Sequence, residues 1–168
     1  THSTSSAASD VYKRQLVASP SVSMVSFTGS SLTGTKIMEA SAPKLSQVAL
    51  ELGGKSAMVI FADTEIERAV EATIKGCLTN GGQICTAHTR LIVQEGIKDD
   101  LLKKLKNAFE KIPYCSDPIT ERERGDRAWE TGMTDVIQPV VSASQHEKII
   151  GFLNEAKIAG IEIYTGGE

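Results

Sequence analysis

Two short runs in this chain carry reactive side chains beside glycine pairs. Leu50-Glu51-Leu52-Gly53-Gly54-Lys55-Ser56 offers a carboxylate next to a Gly-Gly turn. Gly82-Gln83-Ile84-Cys85-Thr86-Ala87 offers a thiol just after a Gly-Gly break in an otherwise helical pattern. Glu51 and Cys85 stand 34 residues apart (85 − 51). A thiol nucleophile and a carboxylate base are the two groups needed to make a thioester and then hydrolyse it. A third run, Phe27-Thr28-Gly29-Ser30, places a glycine at a strand-to-helix turn, where the backbone can approach a ligand and a helix N-terminus favours a pyrophosphate.

Each run also has a plainer reading. An isolated cysteine is more often a buried structural residue. Gly82-Gln83 before Cys85, and Glu51 upstream of it, tip the balance toward a nucleophile, since glycines beside a helix break give access. Glu51 between Leu50 and Leu52 is expected at the end of a buried strand. An acid there is rare unless it faces a cavity, and desolvation would raise its pKa toward that of a useful base. Its alternative is a structural carboxylate held by backbone N–H groups. Gly29-Ser30 alone could be a simple helix cap, and no full GxGxxG is present, Gly34 falling at the wrong offset. Cys77 falls on an apolar helix face and is assigned to the core, and Cys115 and Lys55 are given no role. His88 follows Cys85 by three residues, but no third residue supports a Cys/His hydrolase, so it reads as a loop or core histidine.

The elements that must position these groups alternate in type. Strands are expected from Val22 to Thr28, Gln47 to Leu52, Ala57 to Phe61, Arg90 to Gln94 and Ile161 to Tyr164. Helices are expected over Thr33 to Ala42, then from a capping box at Thr64-Glu65-Ile66-Glu67 to Gly81-Gly82. Another carries Ile97, Leu101, Leu105 and Phe109, and the last spans about Ser144 to Ala159 with Ile149, Phe152, Leu153 and Ala156 inward. Alternating strands and helices give an α/β class with a largely parallel sheet. Residues 114–138 mix both charges without apolar period and read as a solvated loop or a charged helix.

The 168 residues suffice for an ordinary core, and 40% hydrophobic with 23% charged residues is usual for a globular chain. The net charge of −3 and the absence of a dense basic patch argue against a nucleic-acid partner. Three scattered cysteines give neither a disulfide framework nor zinc spacing, so no metal site is expected and a reducing compartment is. No apolar run approaches a membrane span. Residues 1–15 lack periodicity and any charged-then-apolar leader; they are expected to be an unstructured or non-native tail. Both ends look cut, so the chain reads as a fragment.

Glu51 and Cys85 in this order and spacing, with Phe27–Ser30 upstream, closely resemble the aldehyde dehydrogenase superfamily, from about Leu16 to Glu168. Asn80–Cys85, with Gly76-Cys77 ahead, looks most like its betaine- and aminoaldehyde-oxidising branch. The resemblance implies that residues 16–54 end a Rossmann-like NAD(P)-binding domain and residues 55–168 begin the catalytic α/β domain, the active site lying in the cleft between them. It implies Cys85 as nucleophile, its backbone N–H as half of an oxyanion hole, and Glu51 as the general base. Gly29 and Ser30 would bind the pyrophosphate of NAD or NADP, with Leu52 and Gly53 near the nicotinamide. Cysteine chemistry of this kind runs from aldehyde to thiohemiacetal, then by hydride loss to a thioester. The resemblance implies a small-molecule aldehyde as partner, a homo-oligomeric parent, and an intracellular setting, in the cytoplasm or an organelle. The oxyanion-hole Asn and a ribose-binding Lys would lie upstream of this chain, and a ribose-binding Glu downstream, so the chain alone is expected to be inactive. His88, the residue before Pro139, and the length of 114–138 depart from the family pattern. Two alternatives are a CoA-acylating relative, against which Glu51 argues, and a catalytically silent relative with a binding or structural role.

Overall fold

The computed structural model describes residues 12–114, 137 and 139–167. By contact density the chain forms two compact units, Thr1–Gly54 and Lys55–Glu168. Each is an α/β unit built on a pair of parallel strands.

In the first unit, residues 12–18 are helical (α1). The irregular tail expected over residues 1–15 therefore gives way to helix before Leu16. Lys44 explains how this helix is held: its Nζ donates to the carbonyls of Val17 at 2.7 Å and Ser19 at 2.8 Å, a cation at a helix C-terminus. Strand β1 (Met24–Gly29) pairs in parallel with β2 (Gln47–Leu52), and helix α2 (Ser31–Ser41) makes the crossover. The crossing is tight at Gly34, where a Cβ would stand 2.9 Å from Leu52 Cδ2 and 3.5 Å from Leu50 Cδ1. Ile37 and Ser41 are buried along the same helix. A 3-10 turn, Ala42–Lys44, contains Pro43, and Leu45 turns the chain out of it with φ +54°.

In the second unit, β3 (Ala57–Ile60) pairs in parallel with β4 (Arg90–Val93), linked through α3 (Ile66–Leu78). Helix α4 (Lys98–Phe109) comes next, and Leu101, Leu105, Ile60 and Ala69 form the core, with Met58, Leu91, Val93 and Phe109 packed against it. Alternation along β3 sends Met58 and Ile60 inward and leaves Val59 exposed, as the two-residue strand period requires. Helix α5 (Ala143–Ile158) is capped by Ser142, whose oxygen accepts from the Gln145 N–H, and Gly160 ends the turn beyond it with φ +69°.

Three local expectations fail for identifiable reasons. The Thr64–Glu67 capping box does not form: the N-cap of α3 is Glu65, without a side-chain bond. Glu67 instead binds Lys104 of α4, whose ammonium holds the carboxyl below the usual glutamate range. A carboxyl lowered in this way stabilises the fold above the ordinary glutamate pKa, and that contribution disappears as pH falls through the lowered value; full exposure keeps it small. Residues 161–164 are not a strand, since no described segment hydrogen-bonds alongside them. Phe152 does not face inward; it is exposed, with Lys148 Nζ 5.9 Å from its ring centroid. The 114–138 segment lies outside the described residues except at its ends, where Tyr114 and Ile137 form a parallel bridge.

Leu101 of α4 is fully buried in the core with Ile60 of β3 and Ala69 of α3. Truncation to alanine is expected to lower the unfolding free energy by about 2–5 kcal/mol. Alanine at exposed Ile158 should change it by no more than about 0.5 kcal/mol. Urea unfolding of the two variants checks the difference.

Candidate functional site

The first unit holds five of the six expected site residues, and strand register brings four of them, all but Glu51, to one edge. Thr28 pairs with Glu51 and Gly29 with Leu52, so Gly29-Ser30 and Leu52-Gly53 lie side by side at the C-terminal edge of the parallel pair, at the amino end of α2. That edge is where α/β sheets bind ligands, and the first-turn N–H groups of a helix there attract an anion. Ser30 is the N-cap of α2: its Oγ accepts from the Thr33 N–H at 3.2 Å and lies 3.0 Å from Thr33 Oγ1. The hydroxyl is thus occupied with capping, and what the turn leaves for a ligand is backbone. A Cβ at Gly29 would meet the tip of the Phe27 ring, so any larger residue there needs that ring to shift. Around Gly53 a Cβ would meet nothing within 4 Å.

Glu51 is on the same strand but not in the setting the sequence predicts. It is exposed, not buried. The cause is alternation: Leu50 and Leu52 point at Gly34 of α2, so Glu51 between them points to the opposite face, away from that helix.

The second unit holds Cys85 in a short loop between α3 and β4. The loop begins where the helix is broken by three successive positive φ values, at Asn80 (+55°), Gly81 (+63°) and Gly82 (+74°). Asn80 is one of the few residue types besides glycine that tolerates this region. The Asn80 amide nitrogen donates to the Gln83 carbonyl at 3.1 Å, and the Gln83 N–H returns to the Asn80 carbonyl at 3.1 Å. The Ala87 N–H then donates to the Ile84 carbonyl at 3.1 Å, closing a turn with exposed Cys85 at its first central position. Among the described residues the Cys85 N–H donates to no backbone acceptor. The far end of the loop is tied back to α3 through the His88 N–H, which donates to the Gly76 carbonyl at 2.9 Å.

The neighbours of Cys85 divide as their surroundings dictate. Cys77 is half-buried on α3, and burial pushes its thiol pKa up. His88 is a packed residue, its Nδ1 buried without a partner among the described residues and its ring filling the space a Cβ at Gly76 would need. Sequence reasoning did not single out Gln83 beyond its place in the motif. Its amide joins the loop to residues 139–141, with Nε2 3.3 Å from the Pro139 carbonyl and Oε1 accepting from the Val141 N–H at 2.7 Å. Only the amide chemistry of residue 83 hinted at this, because its partners are backbone groups more than fifty residues away. Among the described residues no group of three acidic, histidine or cysteine side chains could hold a metal ion, and no helix is long and apolar enough to cross a membrane.

Comparison with known proteins gives a consistent set of likenesses. The profile of the aldehyde dehydrogenase family matches residues 6–168, so residues 6–15, expected to lie outside that likeness, fall within it. The chain is 43% identical over 152 residues to aminoaldehyde dehydrogenase 2, peroxisomal, of Pisum sativum, covering 90% of this chain and 28% of that protein. It is 41% identical over 152 residues to a chloroplastic betaine aldehyde dehydrogenase of Amaranthus hypochondriacus, again covering 90% of this chain and 28% of the relative. A crystal structure of betaine aldehyde dehydrogenase from Staphylococcus aureus in complex with NAD+ superposes with a TM-score of 0.79 and 32% identity, covering 93% of this chain and 28% of that one. The chain thus spans 28% of the length of these relatives.

Exposure and the raised pKa of Cys77 predict an order of thiol reactivity. With Cys115 replaced by Ser, iodoacetamide at neutral pH should label Cys85 well ahead of Cys77, and Cys77 labelling should rise only at a pH above that of an ordinary thiol. Peptide mass spectrometry over a pH series checks both.

Proposed function

This chain belongs to the aldehyde dehydrogenase family, and on that premise we propose that it supplies the nucleophile, the general base and part of the cofactor site of an enzyme oxidising aldehydes to carboxylates. The observation that carries the reading is the exposed Cys85 on a loop pinned at both ends, with its backbone N–H directed to no acceptor among the described backbone groups. A thiolate there adds to the aldehyde carbon, and the N–H of the same residue is available as one donor to the oxygen that becomes negative. NAD(P)+, when bound, accepts the hydride that leaves the adduct. Glu51 takes a proton from water as that water attacks the thioester; the carboxylate product departs and the cysteine sulfur is restored. Glu51 belongs to the first unit and Cys85 to the second.

The residues present fit one part of a dinucleotide. The amino end of α2 offers backbone N–H groups at the C-terminal edge of β1, and Gly29 keeps that turn free of a side chain that would press on the Phe27 ring. Gly29 and Ser30 would hold the pyrophosphate through their backbone, with Leu52 and Gly53 beside them. The names of the relatives point to aldehydes with a cationic or amino-bearing tail, such as betaine aldehyde and aminoaldehydes. Peroxisomal and chloroplastic relatives make an organelle as reasonable a setting as the cytoplasm. A homo-oligomeric full-length parent is part of the same proposal.

The test is made on the full-length parent chain, following NADH or NADPH formation with betaine aldehyde, aminoaldehydes and simple aldehydes. Cys85→Ala should reduce hydride transfer to background. Glu51→Gln should lower steady-state turnover by roughly 10²- to 10⁴-fold while leaving a trapped acyl-enzyme visible by mass spectrometry. A folded parent that binds the cofactor yet oxidises none of these aldehydes would return the silent-relative reading.

A further inference from the structure

Resting on that reading of Cys85, we propose that Gln83 is a positioning residue that sets the nucleophile loop against the segment 139–141. Its side chain makes a two-point contact. Nε2 donates to the Pro139 carbonyl at 3.3 Å, and Oε1 accepts from the Val141 N–H at 2.7 Å. A carbonyl and the N–H two residues later are spaced as a neighbouring strand would meet them, and a carboxamide supplies the one donor and one acceptor that they need. The pairing also fixes which end of the amide is which, since the reverse orientation would set donor against donor and acceptor against acceptor. Nε2 lies in addition 3.4 Å from the Asn80 carbonyl.

The backbone of the same residue is held independently. Its N–H and its carbonyl are both bonded to Asn80, at the point where the chain leaves α3 through the left-handed region. Residue 83 is thus fixed by main chain and side chain together, two positions before Cys85. The far end of the loop is fixed by the His88 N–H on the Gly76 carbonyl. One anchor refers Cys85 to α3 and the other refers it to residues 139–141, so removing the Gln83 amide leaves the loop tied on one side only. Hydrogen bonds at a partly exposed site add little to stability, because water takes the place of the lost partner. A nucleophile is far more sensitive, since a displacement of about 1 Å costs roughly 10²-fold in rate.

Gln83→Met keeps the volume and removes both contacts. Gln83→Glu keeps the shape and sets a carboxylate against two carbonyl oxygens. In the full-length parent, kcat for aldehyde oxidation should fall roughly 10- to 100-fold in Gln83→Met and at least as far in Gln83→Glu, with the KM for the cofactor and the Tm unchanged. The rate of Cys85 alkylation by iodoacetamide should shift several-fold in the same variants. Wild-type kcat in Gln83→Met overturns the proposal, and so does a fall in kcat that tracks a fall in Tm, which marks a structural role only. Should the wild-type parent turn over no aldehyde, the enzymatic reading fails and the alkylation rates decide alone: unchanged rates in both variants would dismiss Gln83 as well.

Discussion

Parallel strand pairing is the constraint on which both units depend. Two parallel strands cannot be joined by a tight turn, so each pair needs a crossover, and the crossover helix must pack on the sheet it spans. In the first unit this forces α2 across β1 and β2, with Gly34 admitting the Leu52 side chain. In the second it forces α3 across β3 and β4, with Ala69 and Thr73 buried. Because the paired strands run the same way, the turn after β1 and the turn after β2 emerge at one edge. Gly29-Ser30 and Leu52-Gly53 are neighbours for that reason alone, although more than twenty residues separate them in the chain.

The helix end before Cys85 shows the opposite strategy, a local break in place of a long-range pairing. Three residues in the left-handed region stop α3 and reverse the chain, and only then does the thiol-bearing turn begin. An exposed turn of this kind would ordinarily fray. It is held by the reciprocal Asn80–Gln83 bonds, the Gln83 amide and the His88–Gly76 bond, none of which needs an apolar core. The arrangement keeps the sulfur accessible while the backbone around it is fixed.

Much of this was legible in the sequence because the signals are local. The strand Gln47–Leu52 is bounded by turn residues and has the expected limits, and the Gly81-Gly82 break stops α3 where glycine is needed for positive φ. The elements that were misread depend on partners the sequence does not reveal. Glu67 could cap its own helix or reach Lys104, and the second choice prevails because α4 packs against α3. Ile161–Tyr164 has strand composition but no strand beside it among the described residues, and β propensity reflects neighbours more than backbone. Within the candidate site, the exposure of Cys85 could be read from the glycines; the Gln83 contact could not, because its partners are backbone groups near residue 140.

The exposure of Glu51 belongs with a second observation. β3 is apolar on both faces, the pattern of a strand covered from two sides, yet Val59 is 54% exposed, Phe61 62% and Ile92 of neighbouring β4 51%. The helices α3 and α4 cover one face only, just as α2 covers one face of β1–β2. The exposed carboxylate on one sheet and the row of exposed large apolar side chains on the other have the same cause: each lies on the face opposite the helices that pack on its sheet among the described residues. The loop around Cys85 does not share this dependence: among the described residues the hydrogen bonds that fix it lie between residues 76 and 141.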